Sequence, residues 1–176
     1  MQFTPTDVDG CFVVDIEAHT DERGFFARAW CADEMEAAGA ANHVAQINMS
    51  RSLEAGTIRG LHWQTEPHGE SKFVRCLSGR IFDVCADVRP DSPTFMKWAA
   101  VELTPENHKA FSVPAGCAHG YQALADACEA LYLVSSPYEP GVELGIRWDD
   151  PGFGIAWPIA DASVSDKDQS WPDFSA

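Results

Sequence analysis

Between residues 72 and 89, KFVRCLSGRIFDVCADVR, apolar and polar positions alternate, and Phe82, Val84, Ala86 and Val88 fall on one side of an extended chain. The pattern predicts two strands joined as a hairpin at Ser78-Gly79, a turn that sets Cys76 opposite Ile81 rather than Cys85. Similar short runs predict strands at 11–16, 44–50, 97–103, 110–113 and 130–136. The stretch 31–38, CADEMEAA, is the best short helix and is stopped by Gly39. After Pro137 the chain is rich in Pro, Asp and Trp and reads as an irregular ordered cap. Gly and Pro corners between short strands, without a repeat or linker, predict one all-β domain over residues 1–176. The expected architecture is a sandwich or a jelly-roll barrel with a few short helices.

Composition narrows the function more than the fold. The chain carries 27 acidic residues against 12 basic ones, a net charge of −15. Such a field repels nucleic acid and anionic membranes, so neither is an expected partner. A phosphorylated ligand stays open if the few cations converge. The amino terminus, MQFTPTDVDG, lacks the basic and apolar regions of a signal peptide, and no apolar run is long enough to span a bilayer. The six cysteines form no CxxC pair. They read as buried free thiols, which implies a reducing cytoplasm.

Three histidines raise the question of a metal: His62 in RGLHWQ, His68 in EPHGE and His119 in VPAGCAHGY. Strand-borne ligands commonly come as H-x-H, but Gln64 follows His62 at that spacing and His68 falls in a loop after Pro67. A metal-dependent cupin enzyme would need all three to converge. The other reading of His62 is general acid/base catalysis, with a carboxylate fixing its tautomer. Asp166 and Asp168 in SVSDKDQSW are candidate partners. Arg59, His62 and Lys72 cluster within fourteen residues, which suits an anionic ligand such as a diphosphate. Tyr132 stands on a strand face opposite Leu131 and Leu133, where a phenol either returns a proton or simply fills the barrel.

Nine stretches in order carry a family resemblance: DERGFF (21–26), QINMSRS (46–52), TIRGLHWQ (57–64), SKFVRCLSGRIFDVCADVR (71–89), SPTF (92–95), VPAGCAHGY (113–121), LY (131–132), IRWDDPGFGIAWP (146–158) and SDKD (165–168). The chain resembles the dTDP-4-dehydrorhamnose 3,5-epimerases, cupin-fold enzymes of nucleotide sugars. The resemblance implies a homodimeric jelly roll, with neither metal nor cofactor, acting on a nucleoside-diphosphate 4-keto-6-deoxyhexose. By resemblance His62 is the base, Asp168 the carboxylate that orients it, Tyr132 the acid and Lys72 the cation near the ketone oxygen. Arg23, Gln46, Asn48, Arg59 and His119 match positions that hold nucleotide, diphosphate or sugar. Phe26 matches a ring stacked on the base across the dimer, and Glu143 and Lys167 match further substrate contacts.

One residue departs from the family pattern RGxFxE: Arg28 stands where glutamate is usual. The exchange predicts weaker selectivity for thymidine, unless Arg28 pairs with Glu34 or Glu36. Relatives that invert only C3 or only C5 carry much the same residues, so the sequence leaves that outcome open.

Overall fold

The computed structural model describes residues 1–174, so the last two positions of the expected 1–176 domain lie outside the described residues. The first half of the chain forms β1 (Gln2–Pro5), β2 (Phe12–Asp15), β3 (Ala18–Asp21), β4 (Gly24–Ala27), α1 (Ala32–Ala37), β5 (Gln46–Ser52), β6 (Thr57–Gln64), β7 (Lys72–Ser78) and β8 (Ile81–Asp87). The second half adds β9 (Trp98–Leu103), β10 (Lys109–Val113), β11 (Cys117–Ala123), β12 (Cys128–Val134), β13 (Glu143–Gly145), β14 (Ser163–Val164) and α2 (Asp166–Gln169). One sheet runs β1-β2-β10-β7-β12-β5 and the other β13-β6-β11-β8-β9, with β14 also on β6. This is the expected all-β, cupin-type jelly roll.

Period-two patterning explains why the sheets face each other. The inward rows contribute Val74, Cys76, Ile81, Cys85, Leu103, Phe111, Cys128 and Ala130 to one core. Phe82, Val84 and Ala86 share the other face of β8, and Val88 just beyond its end joins the same cluster, as predicted. That face is not bare: Trp148, Phe153, Ile155 and Trp157 from the carboxyl-terminal segment pack over it. The cap read from the sequence is therefore the cover of the second sheet's outer face. On the first sheet, Met35 of α1 packs with Val14, Phe73 and Ala110.

The predicted hairpin at Ser78-Gly79 is not formed. β7 pairs with β10 and β12, while β8 pairs with β11 and β9. The turn carries the chain from one sheet to the other, so Cys76 does not pair with Ile81. Alternation reads the same in strands that pair and in strands that face each other across a sandwich. Gly79 has φ +75°, and a Cβ there would meet Cys128 Sγ at 2.6 Å. The helix and the other predicted strands form to within two residues. All six cysteines are free, five of them buried. No helix among the described residues is long and apolar enough to cross a membrane.

A second buried constraint ties down the loop after β8. Asp87 accepts Arg89 N–H at 3.1 Å and Arg89 Nε at 2.8 Å on one oxygen, and the Thr94 hydroxyl at 2.6 Å on the other. Burial by itself raises this carboxyl, but these donors and Ser92 hold it well below the ordinary carboxylate range. A depressed folded pKa gives stability that is present above the unfolded value and lost as pH falls through the folded one. Asp87→Asn should therefore cost ~2–3 kcal/mol near neutrality, the scale of hydrogen bonds to a charged group. Urea titrations should show the gap to wild type narrowing below about pH 4, the ordinary Asp value.

Candidate active site

The barrel encloses a cavity of about 540 Å³, open at one end. The second sheet supplies Arg59 and His62 from β6 with His119 and Tyr121 from β11, and the first sheet supplies Ser50, Lys72 and Tyr132. The segment 163–168 closes the side, because β13 and β14 share the free edge of β6: Gly145 pairs with His62, and Val164 with Ile58.

His62 is fixed by that segment. Gly60 lies at the irregularity in the β6–β11 pairing, with φ +110°, and a Cβ there would come within 2.6 Å of the His119 carbonyl oxygen. Its amide donates to Asp168 Oδ2 at 3.3 Å, while Asp168 Oδ1 lies 2.5 Å from His62 Nε2. Ser165 caps α2 by accepting the Asp168 amide at 3.2 Å, which sets the carboxylate's direction. Burial raises the Asp168 carboxyl, but the His62 contact and the Gly60 and Ser165 bonds outweigh it and hold the group below its ordinary value. An ionised carboxylate only accepts, so His62 carries its proton on Nε2 and leaves Nδ1 for exchange. Glu143 Oε1 stands 3.2 Å from that Nδ1, and Glu143 Oε2 is 2.6 Å from Lys167 Nζ. Of the two carboxylates considered from sequence, Asp168 is the partner. Behind them Trp171 packs against Gly145, where a Cβ would come within 2.3 Å of the indole ring.

Tyr132 approaches from the opposite sheet, its neighbours Leu131 and Leu133 on the outer face as predicted. Burial, reinforced by Tyr121 and Glu70, raises the Tyr132 phenol, so it stays protonated at neutral pH. Tyr121 differs: its hydroxyl lies between Ser50 Oγ at 3.0 Å and Ser52 Oγ at 3.1 Å. Ser52 in turn accepts Arg59 Nε at 3.1 Å, which steadies the guanidinium at the mouth. On the floor, Lys72 Nζ is 2.6 Å from Glu70 Oε1 but off the hydrogen-bonding direction. His119 Nε2 is 2.8 Å from Asp83 Oδ1.

The metal reading fails on placement. His62 and His119 each hold their own carboxylate, and His68 lies outside the cavity lining in the loop after β6. Among the described residues no three His, Cys, Asp or Glu side chains are placed to hold a metal ion. Asp83, Glu70 and Ser165 went unread in the sequence. Asp83 did leave a signal, an acid in the same inward phase of β8 as Ile81 and Cys85.

The family model described as dTDP-4-dehydrorhamnose 3,5-epimerase matches residues 5–176. The chain belongs to this family. It is 40% identical to the dTDP-4-dehydrorhamnose 3,5-epimerase of Methanothermobacter thermautotrophicus, covering 97% of this chain and 92% of that protein. The crystal structure of the same enzyme from Bacillus anthracis, with TDP and PPi bound, superposes with TM-score 0.94 at 35% identity, over 98% and 99% of the two chains. A 3'-monoepimerase from Streptomyces bikiniensis, in complex with dTDP-quinovose, superposes with TM-score 0.86 at 34% identity, over 96% and 85%.

Within this epimerase the other residues implied by resemblance divide by place. Gln46 and Asn48 continue the inward row of Ser50 toward the mouth, with Gln46 Nε2 donating to Asn48 at 3.3 Å. Arg23, Phe26 and Arg28 lie on or beside the exposed β3–β4 hairpin, away from this chain's cavity. Arg23 is paired with Asp21, and Arg28 Nη1 is 2.6 Å from Glu34 Oε1. The Trp171 seat supports the His62–Asp168 pair indirectly, which gives a test. Gly145→Ala should displace the indole and with it α2, lowering kcat/KM of the epimerase ~100-fold, as ångström-scale misplacement does. Steady-state kinetics on the variant check this; a fall below about threefold would show that the seat does not set the pair.

Proposed function

We propose that the protein inverts the carbons beside the ketone of dTDP-4-keto-6-deoxy-D-glucose, giving dTDP-4-dehydro-L-rhamnose. One observation carries the reading. A histidine aligned by a carboxylate and a protonated tyrosine face the same cavity from opposite sheets, with a buried lysine at its floor. Inversion needs removal of a proton on one face and its return on the other, so one group in two places cannot do both. His62 removes the proton, Tyr132 delivers one to the opposite face, and Asp168 holds the imidazole. The electron pair moves into the ketone, and Lys72 meets the enolate oxygen; one such donor is typically worth ~3 kcal/mol. The positioned base and acid each contribute about 10²- to 10⁴-fold. The substrate's carbonyl is itself the electron sink, so these steps call on no cofactor.

Arg59 and Lys167 at the mouth suit a diphosphate, in a chain whose net charge is −15. Thymidine is the base on this reading: Arg28 is already paired with Glu34, the arrangement that leaves recognition unchanged. The partner is a second copy of the chain. Phe25 and Phe26 are 58% and 74% exposed, and Ile47 and Met49 on the outer face of β5 are 62% and 63% exposed. Pairing would cover this apolar surface and bring Arg23, Phe26 and Arg28 to a neighbouring cavity. Free thiols support a cytoplasmic setting.

Inversion at one carbon only is the second reading, favoured by the likeness to a 3'-monoepimerase. In heavy water, NMR should show loss of both the C3 and C5 proton signals of the dTDP sugar, abolished by His62→Ala. Loss of one signal identifies a single-site enzyme, and no exchange contradicts the epimerase reading. The UDP form should exchange more slowly; equal rates would mean that Arg28 has altered base recognition.

A further inference from the structure

The inward row of β8 is Ile81, Asp83, Cys85 and Asp87. Asp87 is satisfied by the loop that follows it, but Asp83 belongs to no such network. It is fully buried, its Oδ1 meets His119 Nε2 at 2.8 Å, and its Oδ2 meets no donor. Lys72 Nζ is equally short of a directed bond. These are two of the four buried side-chain nitrogen or oxygen atoms without a hydrogen-bond partner among the described residues. Both belong to one charged group beneath the cavity, in which Lys72 and His119 line the space and Asp83 does not. Burial raises the Asp83 carboxyl, and His119 and Lys72 pull it back only in part.

A carboxylate stands here between Ile81 and Cys85, in a row otherwise packed into the apolar core. Taking it out of water is costly, and well-packed apolar residues of similar volume are often more stable in such a place. What the charge does serve is the cavity. We infer that Asp83 is a positioning residue of the proton-transfer site, acting from behind its floor. It holds His119 by Nε2, which leaves Nδ1 for the substrate. It also adds a second counter-charge, beside Glu70 Oε1 at 2.6 Å, for a buried Lys72 whose ammonium makes no directed bond and stays open to an oxygen that gains charge during reaction. The inference rests on the epimerase reading of this cavity and adds to it a residue that never touches substrate.

Asp83→Asn keeps the volume and an oxygen that can accept from Nε2, and removes the charge. Measured on the dTDP 4-keto sugar, the variant should lose ~100-fold in kcat, the scale of one lost oxyanion donor, with KM within about threefold. Removing one partner of a buried charged group lowers stability, so rates are compared at a temperature where circular dichroism shows both proteins folded. His119→Gln should also lose activity, and the double variant should lose less than the product of the two single losses, because Asp83 acts partly through His119. A kcat within about threefold of wild type, or losses that multiply fully, would overturn the inference. Failure of Asp83→Asn to fold, or a KM that rises as far as kcat falls in the folded variant, would show a structural role and overturn it as well. If wild-type protein exchanges neither the C3 nor the C5 proton, the epimerase reading fails and takes the inference with it. If wild type exchanges and Asp83→Asn keeps pace, the inference alone fails.

Discussion

The contact between Asp168 and His62 joins two parts of the chain that lie over one hundred residues apart, and the geometry of the site depends on it. β6 belongs to the barrel, whereas Asp168 arrives on a four-residue helix near the carboxyl end. A helix that short has no stability of its own. Its place is set by what surrounds it: the Ser165 cap, the β14 pairing with β6, and Trp171 seated on Gly145. The same pairing that seats the carboxylate covers the edge of β6, so closing the sheet and orienting His62 are a single event. This explains why a segment without regular structure is nevertheless ordered. It covers the apolar outer face of one sheet and completes the polar site at its edge.

Charge is distributed to the same end. In a chain of net charge −15, Arg59, Lys72 and Lys167 are gathered at one cavity, each close to a polar or acidic neighbour. The two histidines are separated in role by their partners. The carboxylate of Asp168 comes from outside the sheet, next to the tail, whereas that of Asp83 rises from the barrel interior. The two tyrosines are separated in the same way, Tyr121 engaged by two serines and Tyr132 facing the cavity with its phenol held protonated. Like residues in one pocket thus take different tasks from their surroundings.

Much of this was legible in the sequence, because alternation marks strands and because the residues around His62 and Lys72 stand out against an acidic chain. Phe82, Val84, Ala86 and Val88 were read correctly as one face, since that face is continuous and apolar. The pairing of their strand was not legible: a turn at Ser78-Gly79 looks the same whether the next strand pairs beside the last or crosses to the other sheet. Asp168 could be named as a candidate, but loop closure over a hundred residues leaves no periodic trace. Asp83 was hidden for the opposite reason, since one acid inside an apolar row reads as noise until the structure sets His119 and Lys72 around it. Arg23, Phe26 and Arg28 were named by resemblance, and in a single chain they stand away from the cavity.

On the proposed reading base and acid stand on opposite walls, so the most direct measurement is stereochemical. Tyr132→Phe keeps the ring and removes the proton that the second wall delivers. With the dTDP 4-keto sugar in heavy water, followed by NMR, this variant should exchange protons for deuterium through His62 while the carbons largely retain their configuration. Inversion at the wild-type rate would contradict the account, because the returning proton would then come from a group other than Tyr132.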